Sequence, residues 1–105
     1  DPCDVLVLIN GTTYPGVVIH ARPIGLLRMH DDKGQDDKVL CVAHNDPTYD
    51  HVESLEDLPP HFMREVEHFF VTYKDLEEKD VHSDGWAGRE EALAFVRQCI
   101  AAHRG

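Results

Sequence analysis

The sequence predicts a domain that is mainly β with helices, of the α+β class, and three observations predict it. Four short β-rich runs fill the first half, glycine and proline break them at close intervals, and two apolar stripes at helical spacing fill the second half. The runs cover Val5 to Ile9, Val17 to Ala21, Ile24 to Met29 and Val39 to Val42, with breaks at Gly11, Pro15-Gly16, Pro23 to Gly25 and Gly34. Connections this short leave no room for crossover helices, so the strands are expected to be mostly antiparallel, in a meander or a barrel. After an Asn45-Asp46-Pro47 turn, Ser54 begins a short acidic turn. Pro59-Pro60 then opens a helix carrying Phe62, Val66, Phe69, Phe70 and Tyr73 at helical spacing, a stripe expected to pack on the strands. Another helix follows Gly88, with Ala92, Leu93, Val96, Cys99, Ile100 and His103 inward and Gly105 as its stop.

Composition narrows the function classes. A chain of 105 residues, 42% of them hydrophobic, is the size of a single domain spanning 1–105 with a modest core. Twenty acidic residues against ten Lys plus Arg give a formal charge of −10, which disfavours a nucleic-acid backbone or an anionic membrane as partner. A polyanionic substrate stays open if metal ions accompany it. Cys3, Cys41 and Cys99 have unrelated spacings and form no C-x-x-C, so neither a disulfide framework nor a zinc knuckle is indicated. With no apolar run of membrane-spanning length and no signal-peptide pattern, a soluble chain is expected, and the cysteine usage fits a reducing cytoplasm. The chain starts at Asp1 and runs almost at once into Val5 to Ile9, from which a missing N-terminal segment is expected.

The acidic residues are the chief chemical signal. Asp31 and Asp36 flank Gly34 in the run Met29-His-Asp-Asp-Lys-Gly-Gln-Asp-Asp-Lys38, and Asp1 and Asp4 stand at the start of the chain. Two unit charges about 4 Å apart interact by roughly 4 kcal/mol at an effective dielectric near 20. If these four carboxylates converge, the pocket takes up protons or metal. A solvated acidic turn is the plain alternative, since Asp and Gly suit turns anyway. An EF-hand does not fit, because a loop starting at Asp31 has Val42 where the bidentate Glu belongs and strands flank it.

Three cationic or phenolic groups are candidate partners of an anion. Lys38 follows Asp36 by two residues, so on an extended strand both point to one face. An ordinary surface ion pair is the alternative there. Tyr73 and Lys74 end the aromatic helix and both donate hydrogen bonds, although a core tyrosine and a lysine complementing the helix dipole explain them equally. His61, Glu65 and His68 share a helix face at zinc-like spacing, yet no third His or Cys ligand has an evident place. His68 is better assigned to a packing surface or subunit contact.

Taken together, these motifs resemble family I soluble inorganic pyrophosphatases of the bacterial type. Asp1-Pro2-Cys3-Asp4 resembles the tail of the signature D-x-D-P-x-D, and Arg22-Pro23-Ile24-Gly25 with Met29-His30-Asp31 resembles the stretch R-P-I/V-G…M-x-D. Asp36-Asp37-Lys38 matches D-x-K, and His68 to Glu77 matches HFF-x-x-YKDLE. The order of the motifs across the whole chain makes the match specific.

The resemblance implies Mg²⁺-dependent hydrolysis of pyrophosphate to two phosphates, with Mn²⁺ as a substitute ion, on an OB-like five-stranded β-barrel flanked by two C-terminal helices. It implies that Asp4, Asp31 and Asp36 hold metal, that Asp1 accepts a proton from the attacking water, and that Lys38, Tyr73 and Lys74 grip phosphate. It further implies a homo-oligomer, usually a hexamer. The family signature begins two residues before Asp1, and the upstream segment carries further site residues and strands of the barrel. These 105 residues, as the C-terminal portion, are therefore expected to expose a sheet edge and to be weakly active or inactive alone. Two competing readings remain: a non-catalytic acidic OB-like binding module, and another metal-dependent phosphohydrolase acting on nucleotides.

Overall fold

The computed structural model describes residues 4–9, 18–75 and 81–104, with backbone alone for 73–75, 103 and 104. Five strands, β1 (Asp4–Leu8), β2 (Ala21–Asp31), β3 (Gly34–Gln35), β4 (Lys38–Ala43) and β5 (His82–Ala87), form one sheet. Two helices accompany it, α1 (Pro60–Asp75) and α2 (Arg89–Arg104), and Leu55–Asp57 forms the short acidic turn expected after Ser54.

β2 is the spine of the sheet. Along one edge it pairs antiparallel first with β4, from Ala21↔Ala43 to Leu27↔Lys38, and then with β3 at His30↔Gln35 and Asp31↔Gly34. Along its other edge it pairs antiparallel with β5. β1 joins the far side of β4 in parallel, in the register Asp4↔Lys38 to Leu8↔Val42. Three of the four pairings are thus antiparallel, and short connections account for those of β2 with β3 and β4. The other two join strands distant in sequence: β5 returns antiparallel to β2 after α1, and β1 lies parallel to β4. Among the described residues the sheet is mixed and open, and the barrel expected from the resemblance is realised only loosely. β1 is an edge strand, and its Val5 is 48% exposed.

Of the expected run Val17 to Ala21 only Ala21 lies in a strand, and one strand is new. The break at Pro23 to Gly25 does not end a strand: β2 continues through it with a register shift between Pro23 and Gly25, where a residue without an N–H is tolerated. Val18 to His20 lie outside any strand, and Val17 lies outside the described residues. β5 has the sequence His-Ser-Asp-Gly-Trp-Ala, too polar to show a strand period. It forms because the edge of β2 offers it a ladder, with Gly85 at φ 97 next to the irregularity between Arg28 and Met29.

Both faces of the central strands are covered, so β4 is buried throughout and reads as a nearly continuous apolar run. On one face Ile24, Leu40, Val42, Val52 and Leu58 pack with Leu6, Leu8, Leu55, Met63 and Trp86. On the other, Leu26, Val39 and Cys41 pack under α2 through Ala92, Phe95 and Val96. Burial pushes the Cys41 thiol up to about 11, so it is a small hydrophobe at neutral pH. The helix stripes rotate slightly from expectation. Phe69 is 54% and Ile100 48% exposed, whereas Phe95, which the period did not single out, packs inward.

The Arg22 to Gly25 stretch holds the long 44–58 connection on the sheet. The Arg22 guanidinium donates to the carbonyl oxygens of Tyr49 (2.6 Å) and Val52 (2.9 Å from Nη2, 3.0 Å from Nε). Gly25 lets Leu55 lie directly on the strand: a Cβ there would stand 2.6 Å from Leu55 Cγ. Gly25→Ala is expected to push the Leu55 side chain off the core and to lower stability by about 1–3 kcal/mol. The measurement is the urea midpoint at unchanged slope.

Candidate active site

The parallel register Asp4↔Lys38 sets the first residues of β1 and β4 side by side with their side chains on one face. Asp36 enters two residues before Lys38 and reaches the same point. Lys38 Nζ donates to Asp4 Oδ2 at 2.7 Å and to Asp36 Oδ1 at 2.9 Å. Its side chain is 5% exposed, whereas those of Asp36 and Asp4 are 28% and 53% exposed. A buried ammonium thus lies beneath two carboxylates that reach water, and this pairing is what makes its burial tolerable. Burial alone pulls the Lys38 pKa down. The hydrogen bonds to Asp4 and Asp36, with the charges behind them, outweigh that effect and hold it above 10.5.

The Asp31 carboxylate is engaged in its own turn. Its Oδ1 accepts the Lys33 N–H at 2.9 Å, an Asx turn that leads into Gly34 at φ 127 and closes the β2–β3 hairpin. Asp4 and Asp36 are brought together, while Asp31 is engaged in the neighbouring turn. No group of three or more His, Cys, Asp or Glu side chains that could hold a metal forms among the described residues. Tyr73 and Lys74 belong to the last turn of α1, but their side chains lie outside the described residues, as does Asp1.

Asp37 escaped the sequence reading. Its side chain is 5% exposed, its Oδ1 accepts the Met29 N–H at 3.1 Å, and its Oδ2 lies 4.0 Å from Arg28 Nη1. A signal for it did exist. Alternation sends the middle residue of Asp36-Asp37-Lys38 to the opposite face, the one carrying Val39 and Cys41, where a carboxylate must find partners.

The family model described as inorganic pyrophosphatase matches residues 1–104. The chain belongs to the inorganic pyrophosphatase family. An inorganic pyrophosphatase of Methanosarcina acetivorans is 49% identical over 98 residues, covering 93% of this chain and 58% of that protein. One from Haloferax volcanii is 50% identical over 101 residues, covering 95% and 57%. The crystal structure of the inorganic pyrophosphatase from Thermus thermophilus superposes with a TM-score of 0.90 at 44% identity, over 100% of this chain and 62% of that one. The chain therefore spans about three fifths of the length of these pyrophosphatases.

Metal dependence is a general property of the pyrophosphatase family, and the donor set here is compatible with a hard divalent ion. Asp4 and Asp36 offer only carboxylate oxygens, and one oxygen of each already converges on a single cationic atom. On the α2 side of the sheet a cavity of about 260 Å³, lined among others by Gln35, Asp37, Phe95 and Gln98, reaches the edges of Asp4 and Asp36. The C-terminal half of α2 walls this cavity, so the helix both covers the core and borders the carboxylates.

Proposed function

We propose that this chain serves the Mg²⁺-dependent hydrolysis of pyrophosphate to two phosphates, with Mn²⁺ as a substitute ion. The observation that carries the reading is the convergence of Asp4 and Asp36 on Lys38, a pair of hard ligands beside a cation suited to phosphate oxygens. Relatives named inorganic pyrophosphatase across nearly the whole chain support it. Asp4, Asp31 and Asp36 would hold the metal. When bound, the metal supplies charge neutralisation for the phosphate oxygens and acidifies water.

The chain's own groups do the rest. Phosphoryl transfer to water needs placement and neutralised oxygens more than covalent chemistry. Lys38, already desolvated, offers its ammonium to the phosphate at little further dehydration cost, and Tyr73 and Lys74 add donors from the end of α1. Asp1 takes the proton released by the attacking water. By the same family resemblance the protein assembles as a homo-oligomer, a hexamer, and His68 with the exposed Phe69 on α1 suits a subunit contact, while the cysteine usage fits a reducing cytoplasm. A charge of −10 argues against nucleic acid or membrane as partner, and no helix among the described residues is long and apolar enough to cross a membrane.

The test is phosphate release from pyrophosphate with Mg²⁺, for the 105 residues and for the same chain preceded by the upstream segment of a relative. The longer chain is expected to turn over, the 105 residues weakly or not at all, and EDTA to stop both. Turnover by neither, with Mn²⁺ binding intact, would favour a non-catalytic acidic module. Preference for nucleotide triphosphates would point to a different phosphohydrolase.

A further inference from the structure

The ladder between β2 and its neighbours has a gap. Pairing with β4 ends at Leu27↔Lys38 and pairing with β3 begins at His30↔Gln35, which leaves Arg28 and Met29 opposite Asp36 and Asp37. Two hydrogen bonds cross this gap, both on Met29. Its carbonyl accepts the Asp36 N–H at 2.9 Å, and its own N–H donates to Asp37 Oδ1 at 3.1 Å. The first is an ordinary backbone rung, whereas in the second a side chain stands where a strand carbonyl would be. Met29 is fully buried, so its N–H has no water to turn to.

We infer that Asp37 is a positioning residue for the site on the other face of the sheet. Its carboxylate supplies the missing rung, and the two residues it sits between, Asp36 and Lys38, are those that meet Asp4. With the middle residue tied inward to Met29, its neighbours are held outward on one side, and the break in the ladder becomes a fixed bend. The Arg28 contact, at 4.0 Å and half-exposed, is secondary. The acceptor matters here, and the charge does not. This inference rests on the metal- and phosphate-binding reading of Asp36 and Lys38.

Asparagine retains an acceptor oxygen at the same place, alanine removes it, and glutamate keeps the charge but moves the acceptor outward by one methylene. The experiment measures Mn²⁺ binding by calorimetry and the exchange rate of the Met29 amide, without pyrophosphate. Asp37→Ala and Asp37→Glu are expected to weaken Mn²⁺ binding by about 10-fold or more, the usual range for lost support of a ligand, and to speed Met29 exchange. Asp37→Asn is expected to restore both, and it serves as the reference if the alanine variant does not fold. Val52→Ala, a core truncation outside this segment, separates positioning from mere destabilisation: it is expected to lower the urea midpoint and leave Mn²⁺ affinity unchanged.

Equal Mn²⁺ affinity in the wild type, Asp37→Ala and Asp37→Glu would overturn the inference, as would failure of asparagine to rescue. A wild-type protein that binds no Mn²⁺ would instead overturn the reading of the site itself. The two failures look different.

Discussion

In the chain preceded by a relative's upstream segment, Asp36→Asn is expected to lower phosphate release under saturating Mg²⁺ by about 100- to 1,000-fold, because several kcal/mol of transition-state charge stabilisation pass through a ligand of this kind. The change is nearly isosteric. The amide oxygen still accepts from Lys38 Nζ, now 2.9 Å from Asp36 Oδ1, and the Asp36 N–H still bonds the Met29 carbonyl. The fold is therefore expected to survive, with a urea midpoint close to that of the parent, and the loss to fall on kcat. A site that uses this carboxylate only for a protein contact would show no such loss. Retained turnover with normal Mg²⁺ dependence would remove Asp36 from the metal site.

Lys38→Met is expected to separate two properties that usually fall together. Methionine keeps the apolar stem in the space that the buried lysine fills. Removing the ammonium takes away a charge-assisted hydrogen bond to phosphate worth roughly 1.5–3 kcal/mol, so KM of the chain carrying the upstream segment is expected to rise by about 10- to 100-fold. Mn²⁺ should bind the variant more tightly, since the cation shared by Asp4 and Asp36 no longer competes for their oxygens. Exposure of Asp4 screens this effect, and a gain of about tenfold, well below the roughly 4 kcal/mol of an unscreened pair, is expected. Calorimetric titration with Mn²⁺ decides it, and weaker metal binding would show that Lys38 positions the carboxylates more than it competes with them.

The same pairing has a pH signature. Lys38 is held above its ordinary value of 10.5, so the folded protein keeps this proton more tightly than the unfolded chain does. Stability from this source is present in full below that ordinary value and is lost as pH rises through the raised one. Lys38→Met should abolish that part of the alkaline decline in the urea midpoint, whatever its effect on turnover.

What the sequence by itself determined is the fold class and the family. Apolar period and turn residues are local properties, so the run from Val39 to Val42, the helix opened by Pro60 and the one after Gly88 were legible without coordinates. The acidic excess, the absence of a Cys or His ligand pattern and the ordered motifs from Asp1 to Glu77 likewise pointed to oxygen-ligated metal and phosphate.

Only the tertiary structure decided the pairings. Nothing local tells β1 to lie parallel to β4, and that register alone brings Asp4 to Lys38 across 34 residues of sequence. β5 was invisible because its polar residues are held by the edge of β2 and show no period of their own. Asp37 read as one more acid in a solvated turn. It became a buried tether because the ladder skips a rung at Met29, and a missing rung is a property of two strands together, which no stretch of either one encodes.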